Sequence, residues 1–267
     1  MAKRRFGQHF LVDKRAPGRI VRALGISEDR PVLEIGPGRG ALTAPLIQAA
    51  GRIAAVEVDG VLAEELRSRF DETKLHLVVG DVLRLDLAEV LTGSGFPDNR
   101  MLVTGNLPYY ISKPIVQQIL RARDRVERAV LMFQREVAQR LTARPGSRDF
   151  GPLTVLATLC FEIETLFHLP PRAFAPPPKV ESTVTRWRRR SDCILDEDLE
   201  RRLRKVLAVS FSSRRRTLRN NLKAALTEDH AVGDLLESAG LDGTLRAEAL
   251  SVDDFVRLAQ AYPSTAD

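Results

Sequence analysis

Cysteine is scarce in this sequence: the 267 residues include two, Cys160 and Cys193. They lie far apart and neither belongs to a CxxC pair, so the sequence supports neither a zinc site nor a disulfide framework. The four histidines have no metal-ligand spacing either. We therefore expect a protein without a bound metal.

Long apolar runs are also absent. No run approaches the roughly 18 residues of a membrane span, and the basic, polar segment 1–10 lacks the apolar core of a secretory signal. We expect a soluble, monomeric, cytoplasmic protein in a reducing compartment, with no membrane partner. The hydrophobic fraction of 44% and charged fraction of 28% are ordinary for a globular chain, and the length allows one large domain or one large and one small domain.

Positive charge exceeds negative charge by 6, and the excess is concentrated. Arginine supplies 34 of the 41 basic residues, and its planar guanidinium suits phosphate and stacks on bases. Residues 186–223 hold 13 basic and 5 acidic residues, whereas the rest of the chain has a net charge of −2. Such a concentration is typical of nucleic-acid-binding surfaces, although a solvated helix face gives the same pattern.

Apolar, β-branched runs alternate with helical patterns through the first two thirds of the chain. This alternation predicts an α/β fold, a mostly parallel sheet with helices on both faces, closed by a hairpin of its last two strands. The predicted strands are 31–36, 53–58, 75–79, 101–104, 129–133, 162–169 and 180–187. Helical spacing without strand patterns after about Arg190 predicts a small all-α domain, so we divide the chain into 1–190 and 191–267.

A glycine-rich loop follows the first predicted strand. Gly36, Gly38 and Gly40 come directly after Glu34-Ile35, with GxGxG spacing rather than the dinucleotide GxGxxG. Glu57 ends the second predicted strand, where a carboxylate can accept hydrogen bonds from a ribose diol. The loop resembles the S-adenosylmethionine loop of class I methyltransferases, which have a Rossmann-like fold.

Asp81 follows the third predicted strand and has two candidate roles. In class I methyltransferases an acid at this place accepts a hydrogen bond from the adenine amino group of the cofactor. In proteins generally, an Asp here caps a helix. Its position beside the glycine-rich loop favours the cofactor role.

The fourth predicted strand ends in Asn106-Leu107-Pro108-Tyr109, which resembles the (Asp/Asn)-Pro-Pro-Tyr tetrad of amino-methyltransferases. The N6 amino group of adenine is a poor nucleophile because its lone pair is delocalised into the ring. The Asn106 side-chain oxygen and the Leu107 main-chain oxygen can accept its two hydrogens and so favour a localised lone pair, with Pro108 fixing the backbone. The Tyr109 ring offers a face on which a flipped base can stack.

Motifs over nearly the whole chain resemble those of the ribosomal RNA adenine dimethyltransferases, and most closely their bacterial small-subunit branch. The segments that carry the resemblance are Phe6–Leu11, Glu34–Gly40, Val56–Asp59, Gly80-Asp81, Gly105–Ser112, Phe174–Ser182 and Arg216–Leu222. The resemblance implies N6,N6-dimethylation of two adjacent adenosines in a hairpin loop near the 3′ end of small-subunit rRNA. It implies an immature 30S particle as substrate and S-adenosylmethionine as methyl donor.

The resemblance also implies residue roles. The cofactor contacts would be His9, Leu11, Gly36, Gly38, Glu57, Asp81 and Asn106. His9 departs from the family, which often has Asn at this position. Phe174 would be a second aromatic that stacks on the target base together with Tyr109, whereas an isolated Phe beside prolines usually belongs to a core.

The basic region would bind rRNA phosphates, which position a substrate without reading its sequence. The residues concerned are Arg214, Arg215, Arg216, Arg219 and Lys223. Arg135 is predicted near the rim of the active site, and there it could meet RNA or form a surface pair with a glutamate.

Three other functions compete with small-subunit rRNA dimethylation. The first is dimethylation of large-subunit rRNA, which gives antibiotic resistance; the 174–179 segment and the 216–220 run favour the small-subunit type. The second is a ribosome-assembly or transcription factor on the same fold without catalysis, which the intact loop and tetrad argue against. The third is a DNA adenine methyltransferase, for which we find no separate target-recognition domain.

Overall fold

The computed structural model describes residues 8–27, 30–92, 95–96, 99–226 and 229–263. The described chain divides into two compact units. The first comprises the residues up to Ala138 and Glu162–Arg189, and the second comprises Gln139–Phe161 and the residues from Arg190 onward.

The first unit contains the sheets. In chain order the described strands are β1 (Phe10–Leu11), β2 (Val32–Ile35), β3 (Ile53–Glu57), β4 (Leu75–Val79), β5 (Met101–Asn106), β6 (Val126–Gln134), β7 (Phe161–Leu169), β8 (Phe174–Ala175) and β9 (Ser182–Arg189). Seven of them form one sheet in the order β4-β3-β2-β5-β6-β9-β7, while β1 and β8 form a small antiparallel ladder.

The larger sheet is parallel from β4 to β6, and β9 joins β6 antiparallel. Strand β7 lies beside β9, so the predicted mostly parallel sheet with a closing hairpin is confirmed. The chain runs from β2 outward to β4 and then returns to β5 on the other side of β2. The carboxyl ends of β2 and β5 therefore border the crevice in which α/β proteins bind ligands.

Helices connect the strands, and α1, α2 and α3 contact the sheet. The described helices of this part are α1 (Ala16–Leu24), α2 (Thr43–Ala50), α3 (Gly60–Arg69), α4 (Leu87–Thr92), α5 (Ser112–Arg121) and α6 (Arg135–Leu141). Helix α3 begins where the Asp59 side chain accepts from the Val61 amide, as expected for an N-cap. The central strands are buried on both faces, which explains their continuous apolar runs.

The second unit is helical. Its described helices are α7 (Pro152–Cys160), α8 (Glu197–Ser210), α9 (Leu218–Lys223), α10 (Asp229–Ser238) and α11 (Val252–Ala261). Its core includes Phe255, whose ring centroid lies 5.5 Å from that of Phe211 and 6.5 Å from that of Phe150. The all-α character predicted after residue 190 is therefore confirmed.

Two features of this unit differ from the sequence-based expectation. Residues 139–161, which we placed in the first domain, belong to the second unit because α7 packs on α8 and α11. Cys160 and Cys193, expected to be unpaired, form a disulfide. The Arg190 amide donates to the Cys160 carbonyl at 2.8 Å, which brings the two chain segments together. The cysteine Cα atoms are then 4.6 Å apart, within bonding range.

Candidate active site

One cavity lies at the carboxyl ends of the central strands, entirely within the first unit. It is lined by the predicted cofactor residues and by the tetrad. The predicted residues that the cavity brings together are His9, Leu11, Gly36, Gly38, Glu57, Asp81, Asn106, Leu107, Pro108 and Tyr109. They come from five chain segments, and the topology of the sheet assembles them.

Glu57 is held by the glycine-rich loop. Its Oε2 accepts from the Gly38 amide at 2.9 Å, and its Oε1 accepts from the Val58 and Asp59 amides, each at 3.0 Å. Gly38 has φ of 56°, a conformation that suits glycine, and a Cβ there would lie 3.2 Å from the Phe10 ring. The buried carboxylate is thus fixed in orientation and keeps one acceptor position, on Oε2, for a ligand hydroxyl.

Glu34 is a buried acid that we noted only as part of the loop motif. Burial raises the pKa of its carboxyl to about 8, although the hydrogen bond from Thr43 Oγ1 lowers that pKa, and the Glu57 charge raises it further. The Thr43 hydroxyl is 2.7 Å from Glu34 Oε2. Glu34 is therefore mostly protonated at neutral pH. The strand pattern predicted burial at this position, and burial of an acid was the available signal for a raised pKa.

Asp81 closes a turn at the edge of the cavity and caps no helix, and its contact with the cofactor stays a prediction. Its Oδ1 accepts from the Leu83 amide at 3.0 Å, and the Asp81 main-chain oxygen accepts from the Arg84 amide at 2.9 Å. The side chain therefore closes a turn. It also lines the cavity and is 43% exposed, and its Oδ2 lies 3.8 Å from Arg84 Nε in an exposed ion pair.

Directly before the tetrad, strand β5 has a position that only glycine can occupy. A Cβ on Gly105 would lie 2.4 Å from the main-chain oxygen of Ile35 on the neighbouring strand. Strands β2 and β5 thus approach closely where Ile35 pairs with Gly105. This approach places Asn106 directly beside the glycine-rich loop.

The amide of Asn106 has a defined orientation. Its Nδ2 donates to the His9 main-chain oxygen at 2.8 Å. A carbonyl oxygen accepts but cannot donate, so the nitrogen of the amide must face His9. Asn106 Oδ1 and the Leu107 main-chain oxygen accept no hydrogen bond from the described residues. Both are therefore available as acceptors at the cavity.

Tyr109 is fixed through its hydroxyl and beside a second ring. The hydroxyl lies 2.7 Å from Ser182 Oγ, and the ring centroid lies 5.4 Å from that of His9, in a stacked arrangement. Burial raises the pKa of Tyr109, so the phenol is neutral at physiological pH. His9 in turn donates from Nδ1 to the Pro176 main-chain oxygen at 2.7 Å.

Phe174 is placed differently from the other predicted residues. It belongs to β8, where it pairs with Leu11, and its side chain is 2% exposed within the apolar core. It is not among the residues that line the cavity. In this structure Phe174 supports the strand that carries Leu11, and base stacking by Phe174 remains a prediction.

Four of the predicted RNA contacts lie near one loop of the second unit. Arg214, Arg215, Arg216 and Arg219 are exposed, as is Lys223 on α9. None of the four arginines has a carboxylate within 4.0 Å among the residues that the structure describes. Arg135, in the first unit, pairs with Glu181 at 2.6 Å, which is the surface pair that the sequence left as one of two alternatives.

Asn221 holds the turn before this arginine run, a role that we did not predict. It is buried, and its Nδ2 donates to the main-chain oxygens of Ser210 and Ser213 at 2.6 and 3.0 Å. Its Oδ1 accepts from Ser212 Oγ at 3.1 Å. Its position three residues after Leu218, on the buried face of α9, was the signal that could have identified it.

Within the described ranges, no group of three His, Cys, Asp or Glu side chains is arranged to hold a metal ion. Nor is any helix there long and apolar enough to cross a membrane.

The strand order and the crevice at the switch point define a Rossmann-like fold, the fold that class I methyltransferases have. The model of the family described as ribosomal RNA adenine dimethylase matches residues 1–263, and the chain belongs to this family.

Relatives and solved structures agree with this assignment. The ribosomal RNA small subunit methyltransferase A of Acidobacterium capsulatum is 44% identical, with 96% of this chain and 89% of the relative covered. Its namesake from Syntrophotalea carbinolica is 41% identical, with 97% and 96% covered. A dimethyladenosine transferase from Plasmodium falciparum superposes with a TM-score of 0.80 at 25% identity, covering 94% and 96%. The 23S rRNA methyltransferase ErmE gives 0.70 at 28% identity, covering 94% and 98%.

Proposed function

We propose that this protein transfers methyl groups from S-adenosylmethionine to adenine N6 in small-subunit rRNA. The products are two adjacent N6,N6-dimethyladenosines in a hairpin loop near the 3′ end. The substrate is an immature 30S particle, and the enzyme acts as a cytoplasmic monomer. Identity of 41–44% to proteins named for the small subunit favours this substrate over large-subunit rRNA.

The cavity fits the proposed methyl donor. S-adenosylmethionine carries a ribose diol, an adenine amino group and an electrophilic methyl group, which it supplies to a nucleophile when bound. The free acceptor position on Glu57 suits a ribose hydroxyl, and Oδ2 of Asp81, which is not used in the turn, suits the amino group. The glycine backbone that binds Glu57 leaves the loop open to close approach by a ligand.

The two free acceptors of the tetrad act on the target base. Asn106 Oδ1 and the Leu107 main-chain oxygen accept the two N6 hydrogens, and the lone pair of N6 then localises and points away from both. No charged base is needed, because the proton becomes acidic after methyl transfer and leaves to water. Tyr109 offers its ring face to a base taken out of its stack.

The observation that carries the proposal is the amide orientation of Asn106. The hydrogen bond to His9 removes the donor from the cavity and leaves the acceptor there. The opposite orientation would present N–H groups to an amino group and would repel it. This arrangement therefore favours an exocyclic amine as the nucleophile.

The test is a labelled-methyl assay with undermethylated small subunits, large-subunit precursors and naked RNA, followed by digestion and nucleoside identification. Dimethyladenosine in the small-subunit particle is expected. Label in large-subunit RNA would instead indicate a large-subunit rRNA dimethyltransferase of the kind that gives antibiotic resistance. No transfer to any substrate, with the methyl donor still bound, would refute catalysis and leave an assembly factor on this fold.

A further inference from the structure

A second concave surface of the first unit lies outside the candidate active site. It is lined by the segment that leads from β1 into α1 and by the end of β7 with the turn that follows it. Three arginines, Arg15, Arg19 and Arg172, face this groove, and all three are exposed. We call this surface the arginine groove.

The charge of the groove is strongly one-sided. None of the three arginines has a carboxylate within 4.0 Å among the described residues. Asp13 also lines the groove, but its Oδ1 is used locally, since it accepts from the Arg15 and Ala16 amides at 2.8 Å each. These amides hold the pKa of Asp13 below its ordinary value, so its charge is constant at physiological pH. The groove thus presents three positive charges against one negative charge.

One of the arginines is already ordered. The Arg19 guanidinium lies 3.5 Å from the centroid of the Phe167 ring, a cation–π contact. Stacking fixes the plane of the guanidinium and leaves its edge free to donate. A fixed guanidinium loses less conformational entropy when it binds an anion, and its fork geometry matches the paired oxygens of a phosphate.

The groove and the active site are lined by neighbouring residues of one chain segment. Leu11 lines the catalytic cavity, and the next residue, Val12, lines the groove while its amide donates to the Ala173 main-chain oxygen at 2.8 Å. Arg15 follows Leu11 by four positions, which corresponds to at most about 14 Å of extended chain. A nucleic-acid strand whose base enters the cavity would therefore reach the groove with its neighbouring phosphates.

We infer that the arginine groove binds the phosphodiester backbone of the substrate rRNA beside the target adenosines. This inference rests on the proposed function and adds a contact from the catalytic unit to those of the Arg214–Arg216 loop. The groove contributes affinity and orientation rather than sequence readout, because its contacts are to phosphate.

The test is the double variant Arg15→Gln/Arg172→Gln, which leaves the Arg19–Phe167 stack intact. The matched control is Lys74→Gln/Arg121→Gln, which removes the same charge from two exposed positions of the same unit outside both surfaces. Binding to undermethylated small subunits is measured from 50 to 300 mM salt. Each lost phosphate contact lowers the slope of log affinity against log salt by about 0.7–0.9, so the groove variant should lose about 1.5.

Methylation kinetics provide the second readout. The groove variant should raise KM for the particle by about tenfold or more at physiological salt while kcat at saturation stays within about twofold. A wild-type slope and KM in the groove variant, or an equal loss in the control variant, would overturn the inference. A further outcome separates the two proposals. If the groove variant lowers the salt slope for particle binding, but the wild-type protein methylates no adenine in the particle, the proposed function is refuted and phosphate binding by the arginine groove is supported. The inference would also be refuted if the groove variant had a reduced salt slope for binding an acidic protein but a wild-type salt slope for binding RNA.

Discussion

The Asn106 side-chain amide donates to the main-chain oxygen of His9 at 2.8 Å, across 97 positions of sequence. This bond connects the tetrad to the segment that leads into β1. It fixes which end of the amide faces the cavity, and the proposed activation of adenine N6 depends on that orientation.

Removing this side chain should reduce methyl transfer. We expect Asn106→Ala to lower kcat by about 100-fold to 1000-fold, the usual cost of deleting one preorganised polar group that faces developing charge. Asn106→Asp keeps an acceptor oxygen at the cavity but turns a second oxygen toward His9. It should therefore fall between the alanine variant and the wild type. The measurement is single-turnover transfer to undermethylated small subunits, and a wild-type rate in the alanine variant would contradict the assigned role.

The close approach of β2 and β5 predicts a steric effect. Gly105→Ala places a methyl group 2.4 Å from the Ile35 oxygen, so the strands must separate. We expect a loss of about 1–3 kcal/mol in the free energy of unfolding, together with weaker binding of the methyl donor. Gly60→Ala is the control, since a Cβ there meets nothing within 4 Å. Urea titration of both variants measures the difference, and equal stability of the two would refute the steric argument.

The raised pKa of Glu34 predicts a pH dependence of stability. The folded protein keeps a proton up to about pH 8, whereas the unfolded chain loses it near 4.5. Between these values the folded state binds one more proton, so the Glu34 contribution, complete below pH 4.5, is lost as the pH rises toward 8. Glu34→Gln should flatten this dependence while its amide oxygen still accepts from Thr43. The urea midpoint should therefore change less between pH 5, 6.5 and 8 in the variant than in the wild type. If the midpoints of the two proteins differ by the same amount at all three pH values, Glu34 is not the source of the pH dependence.

The buried Asn221 predicts a coupling between stability and RNA binding. Asn221→Ala leaves two main-chain oxygens without their donor, which costs about 1–3 kcal/mol for each group that stays buried. The turn before Arg214 should loosen, and affinity for small-subunit particles should fall several-fold. Asn220→Ala is the matched control, because its side chain is exposed on the same helix. Thermal melts and particle-binding curves measure both effects, and loss in the control alone would be inconsistent with this role.

Much of the site could be predicted because its signals are local. The GxGxG spacing, the acid at the end of β3 and the tetrad after β5 all sit at strand ends, and parallel strands bring their ends together. Asn221 and Glu34 were missed because their roles depend on hydrogen-bond partners that the sequence does not place beside them. The assignment of 139–161 to the helical unit was missed for a similar reason, because the unit to which α7 belongs depends on the helices against which it packs.

Phe174 illustrates the limit of a motif. Its neighbourhood of prolines matches the family, but the β1–β8 ladder buries its ring against the apolar core beside Leu11. Motif matching identifies the residue type and leaves open the direction in which the side chain points.

The Cys160–Cys193 disulfide changes what a break in the chain can do. The two cysteines bracket the excursion in which the chain leaves the second unit, forms β7, β8 and β9, and returns. With the bond in place, that excursion is a covalently closed loop. A protease that cuts once between the two cysteines therefore opens the loop without releasing a fragment, and the nicked protein migrates as two pieces only after a thiol reductant is added.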